Sequence, residues 1–187
     1  HPLRLIDTAG LRRRAKVTER LEKMAVGESL AAVRYAQVVI LVMDATQPLE
    51  KQDLHIASQV IEEGRCLVLA LNKWDLISQR QELLAHLKAR LTAVLPQVRD
   101  IPLIPLSALN GKNKEKLLDA VLAIYETWNR CIPTAKLNQW LGELVSHHPP
   151  PLVAGRRIKV KYMTQIKTRP PTFVLFSSKS AELPDSY

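Results

Sequence analysis

Three short groups of residues carry the chemistry this sequence offers: Asp7-Thr8-Ala9-Gly10, Asn72-Lys73-Trp74-Asp75 and Ser107-Ala108-Leu109. Each follows an apolar run, at residues 3–6, 66–71 and 101–106. A carboxylate at a strand end, as at Asp7, can hold Mg2+ through water, because Mg2+ takes few carboxylates and keeps its own waters. Gly10 has no Cβ, so its N–H can approach a terminal phosphate closely. Making or losing that contact can order or loosen the segment that follows. Asp75 offers two acceptor oxygens in one plane. They match two N–H donors on one edge of guanine, which adenine cannot present. Asn72 can use its amide both toward a base and to tie neighbouring loops, and the Lys73 stem can lie along a purine face. Ala108 would offer its backbone N–H to the guanine oxygen. The plainer alternative is that Asn72 and Asp75 form turns and Ser107 caps a loop.

The elements that must position these groups are legible as hydrophobic periodicity. Residues 37–43, QVVILVM, are almost continuously apolar and predict a strand buried on both faces, as do 66–71. A third strand is predicted at 101–106, interrupted by Pro102 and Pro105. Helices are predicted over 19–36, 52–63, 78–95 and 113–130. In the second of these Leu54, Ala57, Val60 and Ile61 share a face, with Gly64 as its stop. In the third Leu84, Leu87, Leu91 and Leu95 stack, Ser78 is the candidate cap and Pro96 blocks continuation. Leu117, Val121, Ile124 and Trp128 line the fourth. Strands alternating with helices imply parallel pairing and a doubly wound α/β sheet, whose ligands bind beyond the carboxyl ends of the strands.

The pattern changes after Pro133. Thr134 is the candidate cap of a helix running to about residue 147, and three prolines at 149–151 end it. Residues 157–166 and 173–176 then read as a β-hairpin with a long, proline-containing connection. Helix plus hairpin make a thin core. Tyr162, Phe173 and Phe176 are read as part of it, with base stacking as the alternative. The formal net charge is +9, and residues 151–187 hold seven Lys and Arg against Glu182 and Asp185. Arg12, Arg13, Arg14 and Lys16 form a second basic knot. Such fields attract polyanions in a salt-sensitive, sequence-independent way. The two cysteines, Cys66 and Cys131, stand in no metal-binding or redox pattern and read as reduced thiols. No apolar run approaches the length that crosses a bilayer.

Taken in order, the three groups resemble the third, fourth and fifth motifs of GTP-binding domains. Asp7-Thr8-Ala9-Gly10-Leu11-Arg12-Arg13, Gln52-Asp53-Leu54, Asn72-Lys73-Trp74-Asp75-Leu76 and Ser107-Ala108-Leu109-Asn110-Gly111 resemble the second G domain of the Der (EngA) family, bacterial GTPases with two G domains in tandem. Pro133-Thr134-Ala135-Lys136-Leu137-Asn138, Pro149-Pro150-Pro151, Ile158-Lys159-Val160-Lys161-Tyr162 and Leu183-Pro184-Asp185-Ser186-Tyr187 resemble its C-terminal KH-like domain. The resemblance covers essentially the whole chain. It implies a P-loop-NTPase-like, doubly wound, mostly parallel sheet, incomplete at its N-terminus, followed by a small α+β KH-like domain, incomplete at its C-terminus. Residues 1–132 would be the C-terminal part of a Ras-like, TrmE-Era-type G domain, and 133–187 part of the KH-like domain. It further implies a cytoplasmic GTP-binding and GTP-hydrolysing switch in assembly of the large ribosomal subunit. GTP or GDP would be held by Asp7, Thr8, Ala9, Gly10, Asn72, Lys73, Asp75, Ser107, Ala108 and Leu109, and Mg2+ by Asp7. K+ is a further candidate ion. Implied partners are rRNA, ribosomal proteins and the N-terminal G domain of the same parent chain, with no membrane. No residue is assigned a catalytic role.

The departures from the family pattern matter as much. No G-x-x-x-x-G-K-[ST] occurs, so the phosphate-cradling loop is expected upstream of His1. The sequence is therefore read as a piece of a longer protein cut at both ends, and as inactive in hydrolysis by itself. Leu11 stands where a water-orienting Gln is found in Ras-type proteins, which predicts slow intrinsic turnover. Within 24–29, Glu28 stands where the family pattern leads one to expect a basic residue. No GxxG loop occurs in the tail, so it reads as a docking module. Lys159, Lys161, Lys167 and Arg169 would meet rRNA phosphates, or the tail would meet a neighbouring G domain. The competing reading is a non-catalytic rRNA- or protein-docking fragment that retains only the guanine pocket. An ATP-specific site conflicts with Asn72-Lys73-Trp74-Asp75, and a dinucleotide site with the lack of GxGxxG.

Overall fold

In the computed structural model, which describes residues 3–7, 33–96, 98, 100–153, 156–178 and 182, the run CLVLALN forms strand β2 (Cys66–Asn72), buried for its first six residues. It lies between β1 (Val38–Asp44) and β3 (Leu103–Pro105), and both pairings are parallel. Helix α1 (Lys51–Glu62) joins β1 to β2, and α2 (Arg80–Val94) joins β2 to β3. Helix α3 (Lys114–Trp128) follows β3. Parallel neighbours need such crossovers, and the β-branched and leucine-rich strands need cover on both faces. Met43, Leu49, Val60, Leu69, Leu71, Leu87 and Trp74 form the centre of the resulting core.

Local chemistry sets the ends of these elements. At the start of α1 the Glu50 N–H donates to Asp53 Oδ2 at 3.1 Å, half of a capping box. At its end Gly64 takes φ +66°, a backbone region that favours glycine. There the Gly64 N–H donates to Ile61 O at 2.8 Å and the Arg65 N–H to Val60 O at 3.0 Å, the bond pair of a Schellman turn. Helix α2 begins at Arg80 with Gln79 at its cap position, so Ser78 is not the cap; the chain needs both 78 and 79 to turn out of the preceding loop. Leu87, Leu91 and Leu95 are buried as their spacing predicts. Strand β3 is only three residues long, because Pro102 and Pro105 have no N–H to give. The ladder is still continued by Leu69 N–H to Pro102 O and by Leu106 N–H to Leu71 O, each 2.8 Å.

Two expectations fail at the edge of this sheet. Strand β1 is only partly buried, with Val42 53% exposed, because among the described residues β1 has one sheet neighbour. Residues 3–7 are irregular and exposed rather than a strand, for the same reason: among the described residues no strand pairs with them. Of the helix predicted over 19–36, residues 33–36 are described and 33–35 are helical; the rest lie outside the described residues.

The chain divides into two compact units, His1–Tyr125 and Glu126–Tyr187. In the second, α4 (Thr134–His147) buries Leu137 and Leu141. Its cap position is Pro133, so Thr134 is the first helical residue and not the cap. Two short strands, β4 (Leu152–Val153) and β5 (Arg156–Arg157), pair with each other. The longer β6 (Val160–Thr168) and β7 (Pro171–Ser177) pair antiparallel. Thr168 already faces Pro171, so the connection is Arg169 and Pro170 alone and not the long loop expected. Proline is tolerated at the first position of a strand, and Pro171 occupies it.

Asn138 on α4 meets the edge of β6 with both ends of its amide. Its Nδ2 donates to Met163 O at 2.9 Å, and its Oδ1 accepts the Met163 N–H at 2.8 Å. A side chain thus does the work of a neighbouring strand's peptide group. Tyr162 and Phe176 face each other across the hairpin and stack, ring centroids 4.3 Å apart and 5° from parallel. Tyr162, Phe173 and Phe176 are 42%, 40% and 40% exposed, which overturns their reading as core. One helix cannot cover both faces of a two-stranded ribbon.

Candidate functional site at the carboxyl end of the sheet

Parallel pairing places the carboxyl ends of β1, β2 and β3 side by side, and the register sets Asp44 directly against Asn72. Asn72 closes β2, and its Oδ1 accepts the Ala108 N–H at 2.9 Å from the loop after β3. Lys73 follows with φ 63° and ψ 32°, a left-handed conformation uncommon for a residue with a Cβ. Trp74 is buried in the core, and its N–H donates to Leu106 O at 3.1 Å. It therefore anchors the motif to the end of β3. Trp74–Leu76 forms a single turn of 3-10 helix, on which Asp75 is exposed. Positive φ before a buried aromatic is how two exposed side chains, Lys73 and Asp75, come to flank one buried one.

Lys73 Nζ donates to Asp44 Oδ2 at 2.6 Å. The other oxygen of Asp44 accepts the Thr46 N–H at 2.9 Å and the Thr46 hydroxyl at 2.7 Å. The Lys73 bond first, and then the two from Thr46, hold the Asp44 carboxyl down at about 2 from an ordinary 3.8.

The loop after β3 is braced by its own side chains. The Ser107 N–H donates to Lys112 O at 3.2 Å, and the Lys112 N–H to Asn110 Oδ1 at 3.1 Å. Gly111 and Asn113 both take positive φ, and Asn113 Nδ2 donates to Pro105 O at 2.8 Å. Ser107 is 1% exposed, and its Oγ has no hydrogen-bond partner among the described residues. Such a group is uncommon in a folded interior. Ala108 and Leu109 are exposed.

Of the residues singled out from sequence, Asn72, Lys73, Asp75, Ser107, Ala108 and Leu109 thus stand on two loops tied together at one end of the sheet. The Ala108 N–H, expected to face a base, here donates to Asn72. Asp7 is exposed on irregular backbone. Thr8, Ala9 and Gly10 lie outside the described residues, as do Leu11, the basic knot at 12–16 and Glu28. Sequence reasoning missed Asp44 and Thr46. The signal was present: Asp44 stands at the end of an apolar run, the criterion that selected Asp7.

The donor set fits a guanine base. An exposed planar carboxylate, a long aliphatic stem beside it and an unpartnered buried hydroxyl stand at the same sheet end. For Mg2+, a single carboxylate such as Asp7 suits an ion that keeps most of its waters. Among the described residues no group of three or more His, Cys, Asp or Glu comes together. No helix among them is long and apolar enough to cross a membrane.

Comparison with known proteins adds to this geometry. A family model described as the elongation factor Tu GTP binding domain matches residues 23–127, and one described as the KH-domain-like of EngA bacterial GTPase enzymes, C-terminal, matches residues 131–187. GTPase Der of Parvibaculum lavamentivorans is 51% identical over 185 residues, and GTPase Der of Mesorhizobium japonicum is 55% identical over 185 residues. In both comparisons the match covers 99% of this chain and 39% of the relative's length. Among solved structures, Era in complex with MgGDPNP and a segment of 16S ribosomal RNA superposes with a TM-score of 0.53 at 19% identity, over 91% of this chain and 59% of Era. A probable GTP-binding protein engB gives 0.53 at 20% identity, over 65% of this chain and 77% of that one. At these identities what is shared is the fold.

Proposed function

This chain belongs to the Der (EngA) family of GTPases, and from that premise we propose that it supplies the base-recognition half of a guanine-nucleotide site in a GTP-hydrolysing switch protein. The observation that carries this reading is the bond from the Ala108 N–H to Asn72 Oδ1, 2.9 Å long. It holds the loop bearing Asp75 beside the loop bearing Ser107, Ala108 and Leu109. Asp75 accepts the two N–H donors of the guanine edge, the Lys73 stem lies along the purine face, and Asn72 turns its remaining amide group toward the base. The Ala108 N–H is shared between Asn72 Oδ1 and the guanine oxygen. Adenine would set an amino group against that N–H and leave Asp75 without donors, so it is rejected by unpaired polar groups rather than by size.

Asp7 holds Mg2+ through water, and Thr8, Ala9 and Gly10 follow the terminal phosphate. Bound Mg2+ supplies charge neutralisation on the phosphates. K+ is a second ion this reading admits. Residues 1–132 serve as part of the G domain and 133–187 as part of a KH-like module. The nucleotide state is read out through the basic segment at 12–16. The parent protein acts in the cytoplasm in assembly of the large ribosomal subunit, with rRNA, ribosomal proteins and its own N-terminal G domain as partners. Exposed Lys159, Lys161, Lys167 and Arg169, on or beside the hairpin that carries the exposed Tyr162 and Phe176 pair, support a nucleic-acid-facing tail.

The test is a fluorescent-nucleotide titration of the full-length protein, wild type and Asp75→Asn, competed with GDP, ADP and XDP. The reading expects GDP selectivity in the wild type. In the variant it expects XDP binding to appear and guanine affinity at this site to fall about 10- to 100-fold, the scale of one bidentate base contact. No base preference, or no gain of XDP binding, overturns it.

A further inference from the structure

Asp44 belongs to none of the three motifs, yet it grips the one long side chain at the base site. We propose that Asp44 is a positioning residue: by holding Lys73 Nζ it keeps the Lys73 stem extended across the purine face, and so sets how long nucleotide stays bound. The inference rests on the guanine-site reading above.

Each part of the grip is fixed independently. The Lys73 backbone is held on both sides, by Asn72 tied to Ala108 and by Trp74 buried and bonded to Leu106. What remains free is the side chain, whose four carbons have many rotamers to lose. Its end is taken by Asp44 Oδ2 at 2.6 Å. Asp44 is itself oriented, because its other oxygen accepts both the N–H and the hydroxyl of Thr46. The strand register adds to this by setting Asp44 against Asn72.

Stability does not account for the arrangement. The Lys73 side chain is 55% exposed and that of Asp44 20%, and ion pairs so open to water contribute little to folding. Pre-organisation does account for it, since a side chain already ordered before binding loses less freedom when the ligand arrives. The depressed pKa of about 2 keeps Asp44 ionised throughout the neutral range, so the grip is permanent rather than gated by pH.

The experiment uses full-length protein carrying Asp75→Asn, in which fluorescent XDP reports this site alone. Dissociation rates are measured by stopped flow after adding Asp44→Asn, Lys73→Met, or both. Asp44→Asn is expected to speed release about tenfold, equivalent to about 1.4 kcal/mol, without changing association rate or base selectivity. The double variant is expected to match Lys73→Met alone, because Asp44 acts through Lys73. Thr46→Val, which loses only the hydroxyl bond, gives a smaller change in the same direction. In nucleotide-free protein, reductive methylation of Lys73, followed by mass spectrometry, runs several-fold faster in Asp44→Asn.

Additive effects in the double variant overturn the proposal, as does an unchanged release rate. Altered base selectivity also overturns it, since Asp44 would then touch the base. Unchanged methylation shows that the grip does not exist in solution. Failure of the Asp75→Asn protein to bind XDP at all overturns the base-site reading and this proposal with it.

Discussion

Asn72 Oδ1 accepts the N–H of Ala108 at 2.9 Å, although the two residues are separated by 36 positions in sequence. Asn72 closes the central strand, and Ala108 sits at the tip of the loop leaving its neighbour. Parallel pairing brings those strand ends together, and the side-chain amide converts nearness into a fixed spacing. One residue therefore has two duties, joining the loops and facing the ligand.

Replacing Asn72 with Ala removes both at once. Ala108 is exposed, so water satisfies its freed N–H and folding loses little; a net hydrogen bond contributes about 0.5–1.5 kcal/mol. Binding loses more, because the loop bearing Asp75 is no longer held. Guanine-nucleotide affinity is expected to fall about 10- to 100-fold, or about 1.4–2.8 kcal/mol, while the melting temperature shifts by only a few degrees. Calorimetric titration and thermal unfolding of the same samples check the two halves. A large drop in melting temperature with unchanged affinity would make Asn72 a structural residue only.

The two cysteines are expected to behave oppositely. Cys66 is buried on β2, its Sγ 3.7 Å from Ile124 O, and burial pushes its thiol up from 9.0 to about 11. Cys131 is exposed. The thiolate is the reactive form, so Cys66 stays silent at pH 8 while Cys131 reacts. Alkylation followed by mass spectrometry should find Cys131 modified promptly in the native protein and Cys66 only after denaturation. Between pH 8 and pH 10 the rate at Cys66 should remain far below that of a free thiol.

Asn138→Ala is expected to destabilise the second unit by about 1–3 kcal/mol, because the N–H and C=O of Met163 lose their partner together. Asn138→Asp gives no rescue. It keeps an acceptor for the N–H but sets a second oxygen against the Met163 carbonyl. Hydrogen exchange at the Met163 amide checks the mechanism directly, since protection there should vanish in Asn138→Ala, which removes the acceptor, and persist in Asn138→Asp, which keeps it. Retained protection in Asn138→Ala would mean that the bond does not hold this edge.

How far the sequence could be read depended on whether a residue's neighbours were themselves legible. Strand β2 and the leucines of α2 are surrounded by core, so apolar spacing alone placed them. Tyr162 and Phe176 share one face of the β6–β7 hairpin and Phe173, three residues from Phe176, lies on the other, and periodicity does not say how far either face is covered. Residues 3–6 carry a strand's composition without a strand's neighbour among the described residues. From sequence Pro171 reads as part of a loop, because a proline marks a break more often than a strand's first residue. The caps differ by one position each, at Ser78 and at Thr134, since the general preference for Ser and Thr at N-caps does not hold at Gln79 and Pro133. At the site, Asn72, Lys73, Asp75, Ser107, Ala108 and Leu109 were found by motif. Asp44 and Thr46 fall in no motif, and only the register of β1 against β2 brings them to Lys73.

The amide of Asn138 on the edge of β6 has a consequence for assembly. A strand edge with open N–H and C=O groups invites any extended chain to add to it, in another copy as readily as in its own. At Met163 both groups are already occupied, by a side chain that cannot pass the ladder on. Addition of an extended chain to the β6 edge is thereby blocked at Met163, where a side chain rather than a further strand closes the ladder.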